Sequence, residues 1–209
     1  MKGKRLTALL LGISLFLFAS HLAAEEVLFS DDFDSYSIKN WGPMPTAAIT
    51  VENGILRDSP QAGQIFLASL KKFKYVTLEM KVKFNRFSTD STIFYYLGFQ
   101  SLTPWCYNVC WITIQDAALF ASVVKDGDTA KSVREHVYDL VPNRWYLIKI
   151  VWSESQIQFF IDGERIYRIT SPDAIPEASM PIFLSANTLG SQPADMEIDW
   201  VTIKGERKE

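Results

Sequence analysis

The chain has 209 residues, of which 48% are hydrophobic and 22% are charged. This balance excludes a disordered, collagen-like or low-complexity chain. Without residues 1–24, the chain carries 18 basic and 24 acidic side chains, a net charge of −6, and this charge disfavours a nucleic-acid-binding surface. The most apolar segment, residues 6–19, is shorter than a bilayer requires, so we expect no membrane span.

The first 24 residues have the three regions of a secretory signal peptide. Residues 1–5 are basic, residues 6–19 are apolar, and a small-residue exit ends at Ala24. We therefore predict cleavage before Glu25, to within a few residues because Leu22 is bulky, and a secreted or periplasmic mature chain of residues 25–209. An uncleaved signal anchor is the alternative.

Short runs of alternating apolar and polar residues dominate the rest of the sequence. In residues 75–84, Leu78 and Met80 fall on one face of a predicted strand, and Glu79 and Lys81 fall on the other. Similar runs lie at residues 92–101, 110–115, 118–125, 145–152, 156–161, 165–170, 181–186 and 196–204. The pattern predicts half-buried strands.

The turn signals favour a single antiparallel sandwich. Asp162 and Gly163 separate two of these runs and suit a two-residue hairpin turn. About ten or more short strands, with no long amphipathic helix, internal repeat or Pro/Gly-rich linker, predict one all-β domain over residues 25–209. In such a fold the first and last strands commonly lie side by side, which would bring the regions near positions 33 and 199 together.

Two cysteines, Cys106 and Cys110, lie four residues apart. Along a straight strand they would be about 13 Å from each other, too far for a disulfide, so a bridge requires a turn between them. Because an oxidising compartment favours disulfides, we predict a small disulfide loop at a hairpin tip.

His136 is the one histidine after residue 24. A structural zinc needs about four ligands, so we expect His136 at the surface.

Four segments together resemble the concanavalin A-like lectin/glucanase superfamily, especially laminin-G-like modules and glycoside hydrolase family 16. The segments are FSDDFDSY at residues 29–36 with Trp41 after it, VENGIL at 51–56, FFIDG at 159–163 and MEIDWVTI at 196–203. The resemblance implies a two-sheet antiparallel jelly roll over nearly all of the mature chain.

Family 16 enzymes carry Glu-x-Asp-x-Glu on a central strand, with the nucleophile and the acid/base on one strand face. The corresponding regions here, residues 93–100 and 111–116, contain no paired carboxylates. The resemblance therefore implies the fold of these enzymes without their catalytic motif.

Three carboxylates, those of Asp195, Glu197 and Asp199, alternate along the last predicted strand and would share one face. They could form an acid/base cluster, a polar face exposed to solvent, or part of a calcium site. The resemblance implies one structural Ca²⁺ ion held by the Asp199 carboxylate and by the carbonyls of Asp32 and Gly54.

A segment rich in Trp and Tyr provides the predicted ligand site. Sugar-binding sites on such sandwiches combine aromatic faces, which stack on sugar rings, with amides that hydrogen-bond to hydroxyls. The predicted ligand-binding residues are Trp105, Tyr107, Trp111, Gln115, Tyr96, Gln100 and Asn187. Packing of the Trp and Tyr rings in the core is the alternative.

We therefore expect a secreted, non-catalytic, lectin-like protein that binds a poly- or oligosaccharide. The sequence does not determine its oligomeric state. One alternative is a polysaccharide-active glycosidase or lyase with displaced catalytic residues, and for a lyase, Arg134, His136 and Tyr138 would share a strand face by parity. The other alternative is a structural envelope module that binds protein. Serine-hydrolase, zinc-protease, phosphate-loop and dinucleotide-binding motifs are absent from the sequence.

Overall fold

The computed structural model describes residues 25–42 and 47–206, and for residues 129–137 it describes the backbone alone. The predicted signal peptide lies outside the described residues. Within them, none of the helices is long and apolar enough to cross a membrane.

The described chain forms strands joined by short turns, with one four-residue α-helix and one 3-10 turn at Pro172–Ala174. The elements are β1 (Glu26–Asp31), α1 (Ile38–Trp41), β2 (Ile49–Glu52), β3 (Ile55–Asp58), β4 (Gly63–Phe73), β5 (Thr77–Phe84), β6 (Ile93–Leu102), β7 (Trp105–Gln115), β8 (Ala118–Lys125), β9 (Asp128–Asp139), β10 (Trp145–Trp152), β11 (Ile157–Ile161), β12 (Glu164–Ile169), β13 (Met180–Thr188) and β14 (Met196–Gly205).

The strands form two antiparallel sheets. The eight-stranded sheet has the order β12-β11-β10-β5-β14-β3-β2, with β1 paired to β14, and the six-stranded sheet has the order β4-β13-β6-β7-β8-β9. Asp31 of β1 lies opposite Val201 of β14, so the first and last strands are neighbours as predicted. The prediction of an all-β, two-sheet jelly roll is confirmed.

The core between the sheets follows from the alternation seen in the sequence. Leu78, Met80 and Val82 of β5 are fully buried there, and the intervening Glu79 and Lys81 point away from it. An alternating strand can bury all of its apolar side chains on one face. The same rule gives each sheet an inner face toward the core and an outer face away from it.

The cysteines do not form the predicted disulfide. The chain reverses at Thr103 and Pro104, before the first cysteine, and the pairing of β7 with β6 then shifts by two residues between Trp105 and Val109, in a bulge that overlaps the cysteine interval. Both are free thiols: Cys110 lies in the core, Cys106 is half-buried, and burial raises the pKa of each. The predicted disulfide is wrong because the hairpin turn precedes Cys106, and the bulge that follows it leaves both thiols free.

A β-bulge separates residues that were expected to share a face on β9. Tyr138 lies opposite Leu119, whereas His136 lies opposite Phe120, and the register shifts between these two pairs. The side chain of Tyr138 is partly buried and packs against the core. The parity prediction that grouped Tyr138 with His136 and Arg134 is therefore wrong.

One buried carboxyl connects the two sheets. Asp58, the last residue of β3, is 2% exposed, and its Oδ2 accepts a hydrogen bond of 2.9 Å from the Ala186 N–H of β13. Its Oδ1 has no partner in the described structure. Burial in this position raises the pKa of Asp58 to about 8.

The buried Asp58 should make the stability of the fold dependent on pH. The unfolded chain releases the Asp58 proton near pH 4 and the folded chain near pH 8, so the free energy of unfolding should fall as the pH rises between them, by up to about 1.4 kcal/mol per unit. Asp58→Asn retains an oxygen for the Ala186 N–H and cannot titrate, so the fall should be absent. Urea denaturation of both proteins at about pH 5 and pH 7.5 measures the difference; parallel pH profiles would contradict it.

Candidate functional site

The outer face of the eight-stranded sheet is covered with ion pairs. Three carboxylates, those of Glu197 and Asp199 in β14 and of Asp195 just before it, each contact a cation at 2.6 Å, in the pairs Arg57–Asp195, Lys83–Glu197 and Lys81–Asp199. Glu197 also accepts a hydrogen bond from the Asn85 side chain. Carboxylates neutralised in this way form a polar outer face, as one of the sequence interpretations expected, and they lie on the sheet opposite the aromatic residues described next.

The outer face of the six-stranded sheet carries a continuous group of aromatic rings, here called the aromatic cluster. Its members are Phe66 of β4, Phe183 of β13, Phe94 and Tyr96 of β6, and Trp105 and Trp111 of β7. The centroids of contacting rings lie 4.8 Å apart for Tyr96–Trp111, 5.3 Å for Phe66–Phe183 and up to 6.4 Å for Phe94–Tyr96. The cluster thus extends across four neighbouring strands.

Phe183 lies at the centre of the cluster. Its neighbours Ile182 and Leu184 point into the main core, whereas Phe183 points to the outer face of the sheet. Phe183 is nevertheless fully buried. The rings of Phe66, Trp105 and Trp111 cover it. An apolar ring that faces away from the core must be covered to leave water, and here the other aromatic residues provide that cover.

Gly98 permits the close packing beside Phe183. It lies opposite Phe183 on one side and Trp111 on the other. Its φ is 151°, and a Cβ at this position would lie 2.3 Å from the Cys110 carbonyl oxygen and 2.6 Å from the Trp111 Cα. Any larger residue would therefore separate β6 from β7, and the rings of Trp111 and Phe183 meet above the space that glycine leaves.

Amide side chains border the cluster along one transverse row. Gln64 of β4 lies opposite Asn187 of β13, Asn187 lies opposite Phe94 of β6, and Phe94 lies opposite Gln115 of β7. Gln64 donates a hydrogen bond of 3.2 Å to the hydroxyl of Ser185. The buried Oδ1 of Asn187 has no partner in the described structure, so it can accept a hydrogen bond from a ligand.

A fourth amide, that of Gln100, lies at the other end of the cluster on β6. By strand alternation it shares the outer face with Tyr96 and Gly98, and it is fully buried. Neither its Oε1 nor its Nε2 has a hydrogen-bond partner among the described residues. A buried amide without partners is costly in a folded protein.

The cluster, the four amides and the hydroxyl residues Thr113 and Ser185, which lie opposite Tyr96 and Phe66, together define the aromatic face. It comprises Gln64, Phe66, Phe94, Tyr96, Gln100, Trp105, Trp111, Thr113, Gln115, Phe183, Ser185 and Asn187. Every one of these described residues is uncharged. This composition distinguishes the aromatic face from the ion-paired outer face of the other sheet.

Six of the seven predicted ligand-binding residues lie on the aromatic face, namely Tyr96, Gln100, Trp105, Trp111, Gln115 and Asn187. Tyr107 does not: it is 40% exposed, and its ring lies beside Gly127 in the turn between β8 and β9, 3.1 Å from where a Cβ would be. Sequence reasoning missed Phe66, Gln64 and Phe183. The short apolar run at residues 65–68 could have identified Gln64 and Phe66 by placing a strand there.

Two of the predicted calcium ligands, Asp32 and Gly54, lie close together beside the turn between β2 and β3. A Cβ on Gly54 would be 3.8 Å from the Asp32 carbonyl oxygen and 3.6 Å from Oδ1 of Asp34. Asp199 directly follows the last residue of β14 that pairs with β3, but its Oδ2 is bonded to the Lys81 ammonium at 2.6 Å. The chemistry of this oxygen donor set fits calcium, provided that the ion replaces Lys81. No group of three His, Cys, Asp or Glu side chains in the described part of the chain is arranged to hold a metal ion.

A comparison with protein families gives a match over almost the whole described chain. The family model of the 3-keto-alpha-glucoside-1,2-lyase-like domain matches residues 26–204. The chain belongs to this family. No curated protein sequence matches it significantly.

Solved structures support the same architecture for this family member. The endo-β-1,3-glucanase of Pyrococcus furiosus is similar with a TM-score of 0.71 at 14% identity, over 88% of this chain and 96% of that one. The laminarinase catalytic domain of Thermotoga maritima MSB8 is similar with a TM-score of 0.70 at 15% identity, over 88% and 99%. The β-glucanase of Bacillus licheniformis gives 0.64 at 14%, over 86% and 98%. The fold is therefore a concanavalin A-like jelly roll of the family 16 type, as the sequence resemblance implied.

Proposed function

We propose that this protein binds carbohydrate on its aromatic face, as a secreted, lectin-like, non-catalytic module. The observation that carries the proposal is a cluster of six aromatic residues, bordered by amide side chains, on an outer sheet face. Aromatic rings pack against the C–H faces of sugars, and amides both donate to and accept from hydroxyls. The two kinds of group lie side by side here.

The exposure of the rings is consistent with this role. Trp105 is 48% exposed and Phe66 is 37% exposed, and they lie 5.4 Å apart, centroid to centroid. Exposed aromatic rings grouped on one surface commonly mark a binding site. The aromatic face is uncharged and could not compensate a charged ligand for its lost hydration free energy. A neutral glycan loses less hydration free energy on binding, so it is the better ligand for this face.

The positions of the carboxylates favour binding over hydrolysis. A glycosidase of the retaining kind needs two carboxyl groups about 5–5.5 Å apart beside the sugar. The aromatic face contains no carboxylate, and Asp195, Glu197 and Asp199 are ion-paired at the start of β14 in the other sheet. A glycan on the aromatic face is separated from them by the core.

Removal of one central ring should weaken glycan binding without unfolding the protein. We expect Trp111→Ala to reduce the affinity for a bound polysaccharide by about 10- to 30-fold, because the residue contributes contact area at the centre of the face. Affinity electrophoresis of the mature protein against neutral plant, algal and bacterial polysaccharides measures this loss. Phe66→Ala, at a more exposed ring, provides a second test if Trp111→Ala lowers the melting temperature.

Trp145→Ala is the matched control for this experiment. Trp145 is also a partly exposed tryptophan, but it lies on β10 in the eight-stranded sheet, where the Lys81 and Lys83 ammonium groups lie 5.2 and 5.0 Å from its ring centroid. Its replacement should leave glycan binding unchanged. Equal losses in the Trp111 and Trp145 variants would exclude the aromatic face as the site.

The family match favours a second candidate function, elimination on a 3-keto sugar. In such a reaction a base removes the C2 proton beside the ketone, the C1–C2 double bond forms, the C1–O bond breaks, and the leaving oxygen takes up a proton. His136 lies opposite Phe120 in the pairing of β8 and β9, which places it in the same sheet as the aromatic face. We assign it the role of base in this candidate.

A 3-keto-α-glucoside distinguishes the two functions. Elimination predicts an unsaturated product that absorbs in the ultraviolet, and we expect His136→Gln to slow its formation by about 100-fold or more. Tyr138→Phe is the control, since the bulge turns Tyr138 toward the core. If the wild-type protein releases no product, the elimination candidate fails and the binding proposal remains.

We further propose one structural calcium ion, held by the Asp199 carboxylate and the carbonyls of Asp32 and Gly54. Calcium should raise the melting temperature of the wild-type protein, and a chelator should reverse this change. Because Lys81 occupies the Asp199 carboxylate, Lys81→Met should increase the apparent calcium affinity, whereas Asp199→Asn should abolish the stabilisation. The same calcium response in all three proteins would rule out a site at Asp199.

A further inference from the structure

The register of the six-stranded sheet places Gln100 between Trp105 and Phe183 on the outer face. Trp105 pairs with Leu102 at the end of β6, while its ring contacts Phe183 at 5.7 Å. Phe183 lies opposite Gly98. Gln100 lies between Gly98 and Leu102 on the same strand, so the indole has to pass over it to reach Phe183.

The cover explains why a polar side chain on an outer face is completely buried. Gln100 is 0% exposed, and both of its amide atoms lack hydrogen-bond partners in the described structure. Such an amide loses its bonds to water and gains none in return. The folded protein is therefore less stable than one with an apolar side chain of the same shape at this position, unless another molecule satisfies the amide.

The cover itself is only partly held in place. Trp105 is 48% exposed, and its ring contacts are with Phe66, which is 37% exposed, and with Phe183. Movement of the indole away from the sheet would uncover the Gln100 amide and the ring of Phe183 at the same time. A polar group with both a donor and an acceptor would then lie next to an apolar ring.

We propose that Trp105 is a displaceable cover and that Gln100 is a ligand-binding amide for two adjacent free hydroxyls of a sugar residue. One hydroxyl donates to Oε1 while the neighbouring hydroxyl accepts from Nε2, and the uncovered Phe183 ring packs against the sugar. This inference rests on the proposed carbohydrate binding and specifies its ligand class.

The requirement for adjacent hydroxyls discriminates between glycan linkages. An interior pyranose residue of a 1,4-linked chain has free hydroxyls on the neighbouring carbons C2 and C3. An interior residue of a 1,3-linked chain has free hydroxyls on C2, C4 and C6, and no two of these carbons are neighbours. The Gln100 amide therefore selects 1,4-linked over 1,3-linked neutral polymers.

The experiment compares wild-type protein with Gln100→Met, which preserves the length of the side chain and removes the amide. We expect wild-type protein to bind a 1,4-linked glucomannan at least tenfold more tightly than the 1,3-linked polymer curdlan. Gln100→Met should lose that preference and have a higher melting temperature. The matched control is Gln156→Met, at the turn between β10 and β11, where another buried amide oxygen lacks a partner; its glucomannan binding should equal that of the wild type.

The cover is tested by binding kinetics. If the indole must move before the ligand reaches Gln100, Trp105→Ala should bind glucomannan with a faster association rate in surface plasmon resonance. A ring that only stacks on the sugar would leave the association rate unchanged or lower it, and would raise only the dissociation rate. An unchanged or lower association rate would overturn the proposal that Trp105 is a displaceable cover.

The remaining outcomes distinguish carbohydrate binding as such from the role of Gln100 in it. Wild-type protein that binds neither polymer nor any other neutral glycan would remove the proposed function and this inference together. Wild-type protein that binds glucomannan no better than Gln100→Met, or that prefers curdlan, would overturn the role of Gln100 and leave carbohydrate binding intact. A lower melting temperature in Gln100→Met would show that the amide supports the fold and would also overturn the inference.

Discussion

Strand β13 is buried on both of its faces, and both the core and the aromatic face depend on its register. Ile182, Leu184 and Ala186 enter the core, while Phe183 and Ser185 are buried on the outer side. A shift of one residue would exchange these two sets and bury the serine hydroxyl in the core. Pairing with β4 on one side and β6 on the other maintains the register, and the Asp58 carboxyl adds a hydrogen bond from the opposite sheet.

The two outer faces of the sandwich carry different kinds of side chain. On the eight-stranded sheet, alternating acids and lysines form ion pairs, which remain hydrated and contribute little to stability individually. On the six-stranded sheet, aromatic rings cover one another and leave Trp105 and Phe66 partly exposed. The first face is compatible with full exposure to water, and the second has the apolar, uncharged surface on which the proposed glycan would pack.

The similarity to glucanases extends to the fold, whereas the chemistry of the site is different. The aromatic face offers amides and hydroxyls in place of a carboxylate pair. Two of those amides, Gln100 and Asn187, have buried atoms without partners. Sites of this kind sacrifice stability for the ability to bind, and this is the physical link between the unsatisfied amides and the proposed ligand.

The sequence by itself determined the all-β class, most strand positions and the Asp162–Gly163 hairpin, because alternation and turn chemistry are local properties. Four of the residues predicted to bind ligand, Tyr96, Gln100, Trp111 and Gln115, reached one face for this reason, since β6 and β7 alternate regularly around their centres. The tertiary structure decided the rest. Residues 63–73 pair with β13 over a hundred positions away, a bulge reverses Tyr138 relative to His136, and the indole of Trp105 on β7 contacts Phe183 on β13. Register, bulges and coverage depend on contacts between distant segments, and no local pattern encodes them.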